Sequence, residues 1–393
     1  MANIPNERNI IITEEYKNII KNTLLSTIFH DEAYVSSDVG KADIDDHISG
    51  RMIDVQNTVL PWLEEAYDIK GKSILEIGCG TGSATAPFAL KADRVDAYDI
   101  SSNALEVAMK RAALLGVDNI DFHLLDSCWA QSSSKVKDFF ANAPKADVIL
   151  LMAVLEHLTI DERINLLKGT WDILEEGNII IIYETPNRLS FFDWHSFLLP
   201  FFDSLPDQLA LLYAHKTPRE FFTDHLKGDV EELYRFGRGV SYHEFELSLN
   251  FSELSVINDG FSSYLKQRVS SSHPMFDEVL LEIFDKYLPH IPKGFICPSL
   301  DLIIQKCNNP IVLQRNEQRK YVQELKRENS VREVVYLKQQ LSTAQAELET
   351  VNSQIESINR SLLWKLTRKM QNYRIYRFIA RIVRYLYYLN GYK

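Results

Sequence analysis

The chain has 393 residues, a formal net charge of −11, 46% hydrophobic residues and 25% charged residues. That balance is ordinary for a soluble globular protein, and no apolar run is long enough to span a bilayer. An acidic body repels phosphates, which argues against nucleic acid as a main partner.

The four cysteines, Cys79, Cys128, Cys297 and Cys307, are far apart and form no C-x-x-C pair, so neither a zinc site nor a disulfide framework is expected. The N-terminus is polar and of mixed charge, unlike a signal peptide, so the expected location is the cytoplasm.

Residues 1–70 are expected to form an N-terminal helical segment. The stretch 10–29 has mixed helical periodicity. The stretch 43–63 places Met52, Val55, Val59, Leu60 and Leu63 at apolar positions, with Arg51 as its notable polar residue. The run from Ser73 to Ile77 then reads as a buried strand, and Gly78, Gly80 and Gly82 let the backbone turn sharply beside a ligand. A helix over 83–92 would point its first amides into the same space. Ser83 stands where the dinucleotide fingerprint has glycine, and no G-K-[ST] follows, so the P-loop reading fails. Glu76 would repel a pyrophosphate and attract a cationic amino-acid ligand.

Arg94 to Ile100 reads as the second strand. Asp99 falls 21 residues after Gly78, where a carboxylate can accept from ribose hydroxyls or cap the next helix. A helix over 103–115 is closed by Gly116. The third strand covers 120–125 and is followed by Asp126 and Ser127. The fourth covers 147–151 and runs into Met152-Ala153-Val154-Leu155-Glu156-His157-Leu158. An amphipathic helix over 161–174 precedes the fifth strand, 179–183. Five strands alternating with helices predict a parallel sheet with right-handed crossovers and ligands at the carboxyl ends of the strands. Glu76, Gly78, Asp99, Asp126 and Glu156 all fall at such ends.

The stretch Glu76-Ile77-Gly78-Cys79-Gly80-Thr81-Gly82 resembles the first motif of class I methyltransferases, which bind S-adenosylmethionine. The resemblance implies an α/β, Rossmann-like fold with a seven-stranded sheet and helices on both faces. It implies S-adenosyl-L-methionine as cofactor, met by Glu76, Gly78, Gly80 and Gly82, and by Asp99 with Ile100 at the ribose. Asp126 would accept from the adenine amine or serve as a turn aspartate, Ser127 and Leu125 would flank the ring, and Glu156 would lie in the turn lining the cofactor. Arg51 would either meet the methionine carboxylate or sit on a solvated helix face. The segment Val154-Leu155-Glu156-His157-Leu158 resembles small-molecule and lipid O-methyltransferases, in which His157 is a base or a packing residue. The family's Pro-Gly-Gly turn before the fifth strand is missing, and Gly177-Asn178 can replace it.

The methyltransferase domain is expected to span 71–308, with a helical insertion at about 185–250 covering the acceptor and two final antiparallel strands at 254–258 and 300–305. His195 and His243 are the candidate bases, each with a structural hydrogen-bonding role as the alternative. Some O-methyltransferases need magnesium, and Asp193 and His195 could contribute to such a site, but two ligands are too few to assign one, so no metal residue is named.

Val334, Leu341, Leu348, Ile355 and Leu362 fall seven apart, with Leu337, Ala344, Val351 and Ile358 three after each of the first four. This heptad places a coiled coil at 315–362 and predicts a homo-oligomer through 334–362, or a long helix folded back on its own domain. Residues 357–393 carry nine cations and no acid, interleaved with aromatic residues and an apolar stripe. The tail at 363–393 therefore reads as a membrane-surface segment, at the inner face of the membrane. Ser361-Leu362-Leu363-Trp364-Lys365-Leu366-Thr367-Arg368 resembles a segment of bacterial surface-polysaccharide enzymes. Ser49-Gly50-Arg51-Met52 and the stretches 184–205 and 239–246 resemble methyltransferases found with O-antigen and capsule genes. These resemblances imply O-methylation of a sugar hydroxyl on a membrane-linked glycan. The alternatives are a lipid-like small-molecule acceptor such as a quinone, and a non-catalytic cofactor-binding scaffold.

Overall fold

The computed structural model describes residues 10–219, 226, 228–265, 274–310, 334, 338–346, 348–350, 353 and 374–390. The chain divides into two compact units, Met1–Gln323 and Glu324–Lys393.

In the first unit seven strands form one sheet in the order β3-β2-β1-β4-β5-β7-β6. They are β1 (Ser73–Ile77), β2 (Arg94–Asp99), β3 (Ile120–Leu124), β4 (Val148–Met152), β5 (Ile179–Pro186), β6 (Leu254–Asp259) and β7 (Ser299–Lys306). β1 to β5 pair in parallel, and β7 runs antiparallel between β5 and β6. The expected class I architecture is therefore present. The strand order reverses between β1 and β4, and the carboxyl ends of these two strands part to leave a crevice.

Both faces of the sheet are covered. Ile74, Val95, Leu150, Ile179 and Ile181 pack with Val55, Val59, Trp62 and Phe88 on one face. Their alternates Leu75, Ile149, Leu151, Ile180 and Ile182 are buried on the other. This two-sided burial explains why the central strands are near-continuous apolar runs rather than alternating ones. Each fully buried isoleucine of β5 contributes on the order of 1.5–3 kcal/mol of transfer free energy.

The N-terminal segment is helical from Glu14 to Thr27 and again from Asp38 to Glu64, where two π-helical turns, Asp46–Gly50 and Val55–Val59, interrupt the α geometry. Buried Arg111 staples it down. Its guanidinium donates to the carbonyls of His47 (2.6 Å), Ile48 (2.9 Å) and Thr81 (2.9 Å), and to the Tyr16 hydroxyl. One side chain thus ties the N-terminal cover to the glycine loop.

The insertion differs from the helical cover expected. Among its described residues, only short helices occur, at Asp207–Tyr213, Val230–Arg235 and Tyr242–Glu246. Pro200, Pro206 and Pro218 keep the described helices short. Buried carboxylates organise the backbone instead. Asp193 accepts from the amides of His195 (3.0 Å), Ser196 (2.8 Å) and Phe197 (2.6 Å). Asp203 accepts from the Gly239 amide at 2.8 Å and pairs with buried Arg238 at 3.4 Å.

In the second unit, Val334, Leu341 and Leu348 are exposed on helical residues, and Arg374–Asn390 forms a helix of 17 residues. The remaining large apolar heptad positions, Leu337, Val351, Ile355, Ile358 and Leu362, lie outside the described residues.

Candidate active site

A cavity of about 880 Å³ occupies the crevice at the carboxyl ends of β1 and β4. Its floor is the glycine loop. Gly78, Gly80 and Gly82 have φ of +78°, +53° and +70°, a region glycine enters without steric cost. At Gly78 a Cβ would lie 2.5 Å from Val154 Cγ2, so only glycine lets the β1 and β4 turns approach this closely.

Glu76 lines the cavity although its side chain is almost wholly buried, and its Oε2 has no hydrogen-bond partner among the described residues. Burial pushes its carboxyl up to about 7. An orphaned acceptor at the end of β1 suits a ligand that brings a cationic amine. Asp99 and Ile100 line the same cavity. The Asp99 carboxylate accepts from the amides of Gly80 (2.7 Å) and Ser101 (2.8 Å), bracing the glycine loop while staying half-exposed. Ser127 lines the cavity, and so does Arg51, which faces Asp46 and Glu184, each at 3.8 Å.

Three of the expected positions do not themselves line the cavity. Asp126 does not line the cavity: its carboxylate accepts from the Cys128 amide (3.0 Å) and faces Lys135 (3.5 Å) in an exposed turn. Glu156 is fully buried beneath the turn after β4 and lines neither cavity. His243 is exposed and lines neither cavity; its ring stacks on Tyr242 at 3.9 Å, and its Nδ1 is 3.1 Å from Ser241 Oγ. Ser241 and Glu244 form a capping box that orients this short helix and turns His243 to its outer side.

A second cavity of about 340 Å³ adjoins the first, and Arg51, Ala153 and Glu184 belong to both walls. Ala153 and Glu184 adopt φ of +53° and +61°, strained for residues with a Cβ. The cause at Glu184 is a register shift in β5 between Ile182 and Thr185, where Asp301 of β7 accepts the Glu184 amide at 2.9 Å. Nothing in the sequence signals this bulge. Phe192, Trp194, His195, Asp203 and Asp301 also line the second cavity.

His195 stands next to Glu156 and His157. Single ligand atoms of the three all lie within 4.8 Å of one another. Burial pushes the Glu156 carboxyl up to about 7 and holds both imidazoles below their ordinary value. Glu156 Oε2 accepts from Thr185 Oγ1 at 3.4 Å, while Oε1 has no hydrogen-bond partner among the described residues. Buried Arg163 holds this turn against the insertion. It donates to the carbonyls of Leu155 (2.7 Å), Glu156 (3.2 Å), Arg238 (2.6 Å) and Gly239 (3.1 Å), and pairs with Glu244 at 3.2 Å.

Residues 75–180 match the family described as "Methyltransferase domain". This part of the chain is therefore similar to methyltransferase domains, in keeping with the class I strand order. The chain is similar to a ubiquinone biosynthesis O-methyltransferase of Actinobacillus pleuropneumoniae serotype 5b (28% identity, 32% of this chain, 50% of that protein). It is also similar to one of Chromobacterium violaceum (31% identity, 27% of this chain, 41% of that protein). Among solved structures, the magnesium protoporphyrin IX methyltransferase of Synechocystis PCC 6803 with bound SAM aligns with 22% identity, covering 46% of this chain and 80% of that one, at a TM-score of 0.31. The matched region of the methyltransferase domain spans half or less of these curated relatives.

Proposed function

We propose that the protein is an S-adenosylmethionine-dependent O-methyltransferase acting on a sugar hydroxyl of a membrane-linked glycan. The observation that carries the reading is the pair of adjoining cavities with Arg51, Ala153 and Glu184 in both walls. S-adenosylmethionine, when bound, supplies a methyl group on a sulfonium, open to in-line displacement. Glu76, the glycine loop, Asp99 and Ser127 would hold it, with Arg51 toward its carboxylate. Fixed walls on both sides favour transfer by holding the partners close and excluding water.

A glycan acceptor is supported by the chemistry of the smaller cavity. Phe192 and Trp194, with ring centroids 4.5 Å apart, offer apolar faces to a sugar ring. Glu184, Asp203 and Asp301 offer carboxylates to its hydroxyls. The hydroxyl proton has to leave as the new O–C bond forms, and Glu156, His157 and His195 are grouped at this wall, with His195 facing the acceptor. Association through 334–362 and peripheral membrane contact through 363–393 complete the proposal.

The curated relatives favour a second reading, a quinone-like small-molecule acceptor. Incubation with methyl-labelled S-adenosylmethionine and either a lipid-linked oligosaccharide fraction or a catechol-type quinone precursor separates the two. Label in the oligosaccharide is the expected result. Label only in the quinone precursor would transfer the proposal to that class, and a cofactor-binding protein that labels nothing would be a scaffold.

A further inference from the structure

We propose that Glu156, His157 and His195 form a binding site for one divalent transition-metal ion at the wall between the two cavities. Asp193 is not part of it, because its carboxylate is taken up by the amides of the loop that carries His195. The missing ligands come from the turn after β4.

Three independent features support the site. Glu156 Oε1 is fully buried with no hydrogen-bond partner among the described residues, and its near neighbour is His157 Nε2 at 3.8 Å. A carboxylate oxygen in that state is costly unless a cation meets it. His157 Nδ1 lies 3.0 Å from the Arg235 carbonyl. A carbonyl can only accept, so Nδ1 carries the proton and Nε2 presents its lone pair toward Glu156. A metal-ligating histidine has this arrangement, with its second nitrogen donating to a backbone carbonyl. His195 is also held in place. It sits over Gly237 (φ +111°), where a Cβ would be 2.5 Å from its ring.

The ligand atoms lie within 4.8 Å of one another, whereas a tetrahedral shell with bonds of ~2.1 Å sets them ~3.4 Å apart. Small side-chain rotations close the set around an ion. Two imidazoles and one carboxylate favour zinc, manganese, iron(II) or cobalt over calcium or magnesium. Three protein ligands leave a fourth position open, and on the His195 side that position faces the acceptor cavity. A hydroxyl that takes this position is acidified by the ion, so Glu156, His157 and His195 act on its proton through the ion rather than as general bases, and the proton passes to bulk water. This role rests on the methyltransferase reading; the binding itself does not.

The test uses the full chain, stripped with a chelator and titrated with zinc, manganese and magnesium by calorimetry. Metal content is then measured after gel filtration, and the cobalt(II) derivative is recorded by visible absorption. The expected result is one zinc or manganese per chain, weak magnesium binding, and a cobalt spectrum of nitrogen and oxygen ligands without thiolate charge transfer. Glu156→Gln and His195→Ala should each weaken binding at least thirty-fold while leaving S-adenosylhomocysteine affinity unchanged. That second affinity reports folding and cofactor binding separately from the metal. Unchanged metal affinity in both variants, or no stoichiometric binding by the parent protein, overturns the proposal.

Discussion

Glu76 and Glu156 are carboxyls placed where water does not reach them, and their pH dependence follows. Burial raises each folded-state pKa from 4.5 to about 7. Below about pH 4.5 both states are protonated and no cost arises. As pH rises toward 7 the unfolded chain ionises freely and the folded one resists, so stability falls and then levels off. The cost is on the order of 3 kcal/mol per group. In the metal-free, cofactor-free protein, Tm should drop between pH 5 and pH 8, and Glu76→Gln or Glu156→Gln should flatten that slope. The two then part: Glu76→Gln should weaken S-adenosylmethionine binding about ten-fold or more by calorimetry, because an amide cannot balance a cationic amine. At Gly237 the expectation is steric. Gly237→Ala should push the His195 ring aside and lower kcat with little change in cofactor affinity, a split that steady-state kinetics would resolve.

Between elements, the buried arginines hold the site together, and the sequence did not announce them. The glycine loop, the Asp99 position and the two antiparallel final strands were all readable, because backbone geometry at Gly78, Gly80 and Gly82 and the apolar runs of β1 to β5 leave periodic marks. Arg111, Arg163 and Arg238 leave none, since each acts at least partly through carbonyls contributed by residues 30 or more positions away in the chain. The same holds for the β5 bulge, which the β5–β7 register alone creates, and for the turn in which Asp126 Oδ1 accepts the Cys128 amide. His243 lay in a polar, glycine-bracketed loop, but the cap at Ser241 turned it outward. Arg163→Met should remove the guanidinium from four buried carbonyls and from Glu244 Oε1. A loss of about 3 kcal/mol in denaturant unfolding is expected, with the insertion becoming more sensitive to proteases than the β1–β4 region.

At the scale of the whole chain, the helix Arg374–Asn390 sets Arg377, Arg381 and Arg384 on one face, with Ile379, Ile382 and Val383 toward the other, all exposed. Among the described residues no helix is long and apolar enough to cross a membrane. Surface attachment is the matching expectation, each arginine contributing about 1 kcal/mol near an anionic bilayer. Removing residues 360–393 should release the protein from anionic vesicles in co-sedimentation, and salt should weaken binding by the intact chain; equal sedimentation of both would count against the tail's role.

The position of β7 has a consequence for how the molecule is made. β6 emerges from the ribosome before β7 but pairs only with β7, and β5 has no partner on that side until β7 arrives. The growing chain must therefore wait, with an isoleucine-rich edge exposed, until residue 306 has been translated. Such late, non-local pairing slows folding and invites intermolecular strand addition. Chains stalled or cleaved before residue 299 should therefore depend on chaperones for solubility, whereas chains that include residue 306 can cover the edge with β7.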